Sequence, residues 1–232
     1  VIRVTENFRK IQDLLAQATS EAGRPQDSVR LLAVSKGQPP AAVLEAVSVG
    51  QKAFGENFVQ EAVSKMAGVG RDDLSWHFIG HLQSNKTRQV AEHFQWVHTV
   101  DRLKIAERLS RQRPYHADDL NVCIQVMVDP QDDKSGVTPD ELPELARAVL
   151  SLPKLQLRGL MCIPAPRHDF EAQREPFRRL RLLSEGLNAA GIETDTLSMG
   201  MSADYMAAIR EGATLVRIGT ALFGPRTGRG TR

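Results

Sequence analysis

VRLLAVSKGQPP, Val29 to Pro40, is the stretch on which the fold turns. Val29 to Val34 form a largely apolar run of strand length with β-branched members. Ser35, Lys36 and Gly37 break the run, and the double proline that follows permits a helix to begin, because a first helical turn has no use for the missing N–H. A buried parallel strand ordinarily ends in small turn residues. This one ends in a lysine.

Working outward, the same unit recurs eight times. Apolar runs at 29–34, 53–55, 76–79, 96–99, 122–128, 157–162, 196–198 and 215–218 alternate with helical patterns at 40–49, 58–66, 85–92, 102–111, 139–150, 170–190 and from near Ser202 onward. An opening helix over 5–22 puts Phe8, Ile11, Leu14, Leu15 and Ala18 on one face. Gly50 ends the helix over 40–49, and Thr138 is placed to cap the one over 139–150. The strands are nearly continuous apolar runs, as strands buried on both faces of a parallel sheet should be. Eight strand–helix units predict an α/β fold of one domain, a (β/α)8 TIM barrel with an extra N-terminal helix; a doubly wound open sheet is the competing topology. The barrel is expected over 1–226, with 227–232 a flexible tail rich in glycine and arginine.

The composition narrows the class. With 232 residues, 41% hydrophobic and 25% charged, the chain reads as an ordinary globular protein with ample core. A net charge of +2 is too small to make nucleic acid the main partner. The densest basic stretch, REPFRRLR at 174–181, lies in a helical pattern and reads as a solvated face. No apolar run approaches the length of a membrane span, and the opening VIRVTENFRK has no signal-peptide core. Cys123 and Cys162 sit inside apolar strand-like runs, which suits a reducing, cytoplasmic setting.

A barrel keeps its chemistry directly after its strands. There the sequence is polar: Ser35 and Lys36, Glu56 and Asn57, Gly80 to Asn85, Asp101, the loop DDKSG at 132–136, IPAP at 163–166, MGMSAD at 199–204, and Gly219 with Thr220. The last two groups follow strands seven and eight, where barrels often hold phosphate. Ser202, read as the N-cap of the next helix, offers a hydroxyl, free amides and the positive end of a helix dipole. Gly219 lets the backbone approach closely, and Thr220 adds a hydroxyl and an N–H.

Opposite such an anion site, Lys36 stands at the mouth-side end of an apolar strand. Desolvation and a neighbouring cation would lower its pKa and free the amine as a nucleophile toward a carbonyl. A lysine Schiff base beside a phosphate cup suggests pyridoxal phosphate, or a phosphorylated sugar or aldehyde. Arg217, two residues before Gly219, shares that residue's side of the strand. It could donate to the pyridine nitrogen of pyridoxal phosphate, clamp a phosphate, or form an ion pair at the rim.

Seven motifs, in order along nearly the whole chain, carry a resemblance: AVSK (33–36), FGENFVQE (54–61), WHFIGHLQSNK (76–86), KSG (134–136), RGLMCIPAP (158–166), LSMGMSADYMAAI (197–209) and VRIGTALFG (216–224). In these the chain resembles the pyridoxal phosphate homeostasis protein family, of the proline synthetase co-transcribed type, whose barrel is that of the alanine racemase N-terminal domain. The resemblance implies that Lys36 carries pyridoxal 5'-phosphate as an internal aldimine. It also implies that Ser202, Gly219 and Thr220 hold the phosphate, that Arg217 faces the pyridine nitrogen, and that Asn57 lies nearby. The chain departs from the pattern at Gln38, where many members carry a second lysine, and in Arg226, Arg229 and Arg232, where lysines are usual. Lys134 is the other amine near the mouth.

Racemases on this barrel need two bases, one of them a tyrosine from a second, β-rich domain, and no such domain is expected here after FGPR at 223–226. The chain has two tyrosines, Tyr115 in a loop and Tyr205 in the first turn after GMS. The expectation is therefore a monomeric carrier that takes part in vitamin B6 homeostasis, with apoenzymes as its partners and no racemase activity. A Schiff-base aldolase or a small racemase is the competing enzyme reading. A metal hydrolase on His77 and His81 is a third, which the four-residue spacing on a strand and its loop does not favour.

Overall fold

The computed structural model describes residues 4–129 and 136–225. Its strands β1 (Arg30–Val34), β2 (Ala53–Glu56), β3 (Ser75–Phe78), β4 (Trp96–Val100), β5 (Leu120–Gln125), β6 (Leu155–Met161), β7 (Thr196–Ser198) and β8 (Leu215–Ile218) pair in sequence order, and β8 returns in parallel to β1. The barrel is closed, so the open sheet is excluded. Helix α1 (Val4–Glu21) precedes β1. After the successive strands come α2 (Pro40–Ser48), α3 (Val59–Val69), α4 (Thr87–His93), α5 (Leu103–Gln112), α6 (Leu142–Leu150), α7 (Phe170–Ala189), α8 (Tyr205–Arg210) and α9 (Thr220–Phe223). Pro40 begins α2 as the double proline suggested.

Alternation along the strands divides the core into two layers. Ala33, Phe54, Phe78, Val97, Val122, Val216 and Ile218 point outward and join helix residues such as Phe8, Val43, Ala62, Ile105 and Phe177 in one continuous apolar layer. Inside the barrel are two small apolar groups, Leu32 with Ile79 and Leu215, and Trp96 with Cys123 and Met161. Between these lies a set of buried polar residues: His77, His98, Ser198 and Arg217. The register pairs Ala33 with both Phe54 and Ile218, so the ends of β2, β1 and β8 stand level at the mouth.

Four expectations need correction. The fifth strand ends at Gln125, because beyond it Val137 returns to pair with the chain: its N–H donates to Gln125 O and its carbonyl accepts from Met127. Helix α6 starts at Leu142, since Thr138 and Glu141 close a turn of their own first; Thr138 Oγ1 donates to Glu141 Oε2 at 2.6 Å and accepts from Glu141 N at 3.4 Å. Ser202 is not a helix N-cap. The Met201 N–H donates to Asp204 Oδ1 at 2.6 Å, which folds 201–204 into a turn and delays α8 to Tyr205. Finally, the basic face of α7 is not merely solvated. Arg174, Arg178 and Arg181 converge on Glu211, a carboxylate with 3% exposure at the end of α8.

No helix among the described residues is long and apolar enough to cross a membrane. Lys134 with the rest of the 130–135 segment, and the tail with Arg226, Arg229 and Arg232, lie outside the described residues.

Candidate functional site

The expected site residues gather at one end of the barrel, on neighbouring strands. Lys36 and Asn57 follow β1 and β2, Gly219 and Thr220 follow β8, and Ser202 follows β7. The loop after β7 is tied to β8 where the Arg217 N–H donates to Gly200 O at 3.0 Å. Gly200 has φ +93, and a Cβ there would lie 2.6 Å from the Cβ of Ala208, so only glycine lets this loop close down on α8. Ser202, Ala203 and Thr220 are exposed, and Gly219 is half-buried. Gly219 also runs close to β1, where a Cβ would stand 3.1 Å from Val34 O. Among the described residues, the amides of Ser202, Ala203 and Gly219 and the hydroxyls of Ser202 and Thr220 have no protein acceptor. Helices α8 and α9 are short, so these donors, and not a long helix dipole, make the loops attractive to an anion.

Lys36 is half-buried, and the backbone on both sides of it is held. Before it, Ser35 Oγ donates to Glu56 Oε1 at 2.6 Å, and Ser35 O accepts from Lys65 Nζ at 2.6 Å. After it, the Gly37 N–H donates to Glu61 Oε1 at 2.6 Å, with Gly37 at φ +72. Lys65 closes the cluster through Glu56 Oε1 at 2.6 Å and Glu61 Oε1 at 2.9 Å. Burial pushes the Glu56 carboxyl up from its ordinary value, against the pull of Lys65, and its Oε2 is buried without a partner. Sequence reasoning placed Glu56 at the mouth but missed Lys65 and Glu61. Their signal was positional: Lys65 falls on the same helical stripe as Val59, Ala62 and Val69, where a lysine must find buried partners.

Arg217 points into the barrel with 4% exposure. Its Nη1 donates to Ser198 O at 2.6 Å and Ser198 Oγ at 2.9 Å, and its Nη2 donates to Cys162 O at 2.8 Å. Two further N–H bonds, on Nε and Nη2, have no acceptor among the described residues. Behind Ser198 a chain of contacts crosses the barrel. Ser198 Oγ lies 2.7 Å from His98 Nδ1, His98 Nε2 lies 2.9 Å from His77 Nδ1, and His77 Nε2 lies 3.1 Å from Ser75 Oγ. Burial holds His77 down to about 3 and His98 well below the usual histidine value, so both rings are neutral. Neither His98, inside WVHTV, nor Ser198 was singled out from the sequence.

The remaining candidates separate. Asn57 is half-buried at the mouth, its Oδ1 buried and unpartnered, and its backbone lies so close to Gly80 that a Cβ there would meet Asn57 O at 2.1 Å. His77 is interior whereas His81 is exposed, and among the described residues no group of three or more His, Cys, Asp or Glu could hold a metal. Cys123 and Cys162 are free and buried, and burial pushes both thiols up to about 12. Tyr115 is 90% exposed, while Tyr205 starts α8 and packs on the core.

The family profile described as "Alanine racemase, N-terminal domain" matches residues 4–227. The pyridoxal phosphate homeostasis protein of Pseudomonas aeruginosa is 56% identical over 223 residues, covering 96% of each chain. That of Escherichia coli is 49% identical over 226 residues, covering 96% of this chain and 97% of its own. Among solved structures, PipY of Synechococcus elongatus, with pyridoxal phosphate bound, aligns at a TM-score of 0.78 and 40% identity, over 90% of this chain and 100% of its own.

Proposed function

Because the chain belongs to the pyridoxal phosphate homeostasis protein family, we propose that it binds pyridoxal 5'-phosphate at the barrel mouth and serves as a carrier. When bound, the group supplies an aldehyde that condenses reversibly with an amine and releases water. Lys36 is the amine that receives it.

The donor chemistry of the mouth fits this group. A phosphate dianion needs donors that are not already satisfied by the protein, and the loops after β7 and β8 offer two hydroxyls and three amides of that kind. Ser202 and Thr220 bind through their side chains, Gly219 through its backbone. Arg217 keeps two N–H groups for a ring nitrogen while its other contacts lock the guanidinium in place. Asn57 lines the mouth beside Lys36 with a carboxamide oxygen that no protein donor satisfies. The observation that carries the reading is this convergence: a lysine held on both flanking peptides, a donor-rich cup and a buried guanidinium, all on or directly after adjacent strands of one barrel.

The same geometry supports carriage without racemisation. An arginine facing the ring nitrogen leaves that nitrogen unprotonated, which weakens the ring as an electron sink. Tyr115 is far too exposed to be an opposing base, and Tyr205 is committed to the start of α8. Apoenzymes that use the cofactor are the recipients, and a monomer suffices, since every binding group named comes from one chain. The free, buried thiols support a cytoplasmic setting.

Borohydride reduction of protein loaded with pyridoxal phosphate, followed by peptide sequencing in the mass spectrometer, tests the assignment. The modification is expected on Lys36. Its appearance on Lys134 alone, or on no lysine, would overturn the assignment.

A further inference from the structure

We propose that Glu61 and Lys65 are positioning residues for Lys36, fixing the backbone from which its amine reaches across the mouth. The inference rests on the reading of Lys36 as the cofactor lysine. A peptide unit is planar, so a residue's direction is set by the orientation of the two peptides that flank it. Around Lys36 both are gripped by charged groups: the preceding carbonyl by the Lys65 ammonium at 2.6 Å, the following N–H by the Glu61 carboxylate at 2.6 Å. The two grips are themselves joined, Lys65 to Glu61, at 2.9 Å. Residues after a strand are ordinarily the mobile part of a barrel. Here the turn is clamped on α3 by a bridge four residues long, and Ser35 is locked a second time through Glu56.

Lys65 itself is an anchor and not a rival nucleophile. An ammonium has three N–H groups, and Ser35 O, Glu56 Oε1 and Glu61 Oε1 take all three. It has 3% side-chain exposure, whereas Glu61 has 34% and reaches the pair from the rim. Glu61 can therefore be altered without opening the core, and it is the better handle for the test.

A merely structural role and a positioning role differ in which ligand they affect. In the full-length chain, the affinities of pyridoxal phosphate and of 4'-deoxypyridoxine 5'-phosphate, which has a methyl group in place of the aldehyde, are compared for wild type, Glu61→Ala and Glu61→Gln. If Glu61 aims Lys36, Glu61→Ala weakens the aldehyde ligand about tenfold, the scale of one hydrogen bond to a charged group. It leaves the deoxy analogue within about twofold, as a substitution away from the contacts should. Glu61→Gln keeps an amide oxygen for the Gly37 N–H and restores most of the difference. Equal weakening of both ligands, or none of either, would overturn the inference. Lys65→Met, which strips the countercharge from Glu56, can fail to fold, and the Glu61 pair keeps the test decisive in that event. If reduction of the wild-type chain does not label Lys36, the cofactor-lysine reading fails first; if Lys36 is labelled and the two affinities move together in Glu61→Ala, only the positioning role fails.

Discussion

The phosphate cup proposed for Ser202 and Thr220 makes the sharpest demand on the binding reading. Replacing both hydroxyls, Ser202→Ala with Thr220→Val, removes two donors that have no other partner among the described residues. Nothing in the protein is left unpaired by the change, and both residues are exposed, so the ligand-free chain should melt within about 0.5 kcal/mol of wild type. The cost falls on the ligand. A hydrogen bond to a charged group contributes about 1.5–3 kcal/mol, and exposure argues for the lower end, so the pair together amounts to about 3 kcal/mol. At about 1.4 kcal/mol per factor of ten, full additivity is a loss of about a hundredfold, and neighbouring groups on one anion share enough to bring it toward tenfold. Absorbance titration with pyridoxal phosphate and with unphosphorylated pyridoxal reads the difference. The first should weaken at least about tenfold and the second hardly at all. An equal loss for both, or a lowered melting temperature of the ligand-free chain, would show that these residues support the loops and not the phosphate.

Two further outcomes follow from the interior and from the mouth. His77, held down to about 3, and His98, held well below its ordinary value, bind fewer protons folded than unfolded. The stability they permit is therefore complete above the unfolded value of 6.5 and falls, by up to about 1.4 kcal/mol per pH unit for each ring, as the pH drops toward 3. Urea melts at pH 5 and 7 measure the slope, and a chain with His77→Gln and His98→Gln should lose much of it; an unchanged slope would place the proton uptake elsewhere. The loaded protein, incubated with L-alanine in deuterated water, should show Cα exchange far below the ordinary enzyme range of about 1–10³ per second, and turnover within that range would refute the carrier reading.

How far the sequence could be read is itself a matter of which forces are local. The eight strands announce themselves because a strand buried on both faces must be largely apolar, and β7 and β8 were placed to the residue. The mouth was legible because polar residues cluster directly after those runs. What escaped depends on partners far apart in the chain. The Glu211 carboxylate that gathers the α7 arginines lies 30–37 residues beyond them, and Ser198 lies 100 residues from His98. Ser202 was misread as a cap because Asp204, two residues on, competes for the same turn and wins it with the Met201 amide. Lys65 came closest to being found, since a lysine on an apolar stripe implies a buried partner even when the partner cannot be named.

The carboxylates around the mouth bear on the proposal that this donor-rich pocket holds a ligand without transforming it. A general base must have an acceptor aimed at the proton it takes. Glu61 accepts from Gly37 and Lys65, and Glu56 accepts from Ser35 and Lys65. Asp129 accepts from Arg167 and from the Ala165 amide, and Asp204 from the Met201 amide. Among the described residues the one buried carboxylate oxygen without a partner, Glu56 Oε2, belongs to a side chain with no exposure. Among the described residues each of these four acids is thus engaged, through at least one oxygen, in holding a loop, while the loops leave hydroxyls, amides and two Arg217 N–H groups open. Open donors are what the proposed phosphate and ring nitrogen require. Among the described residues these acids serve first to hold loops, an arrangement that suits the proposed carrier.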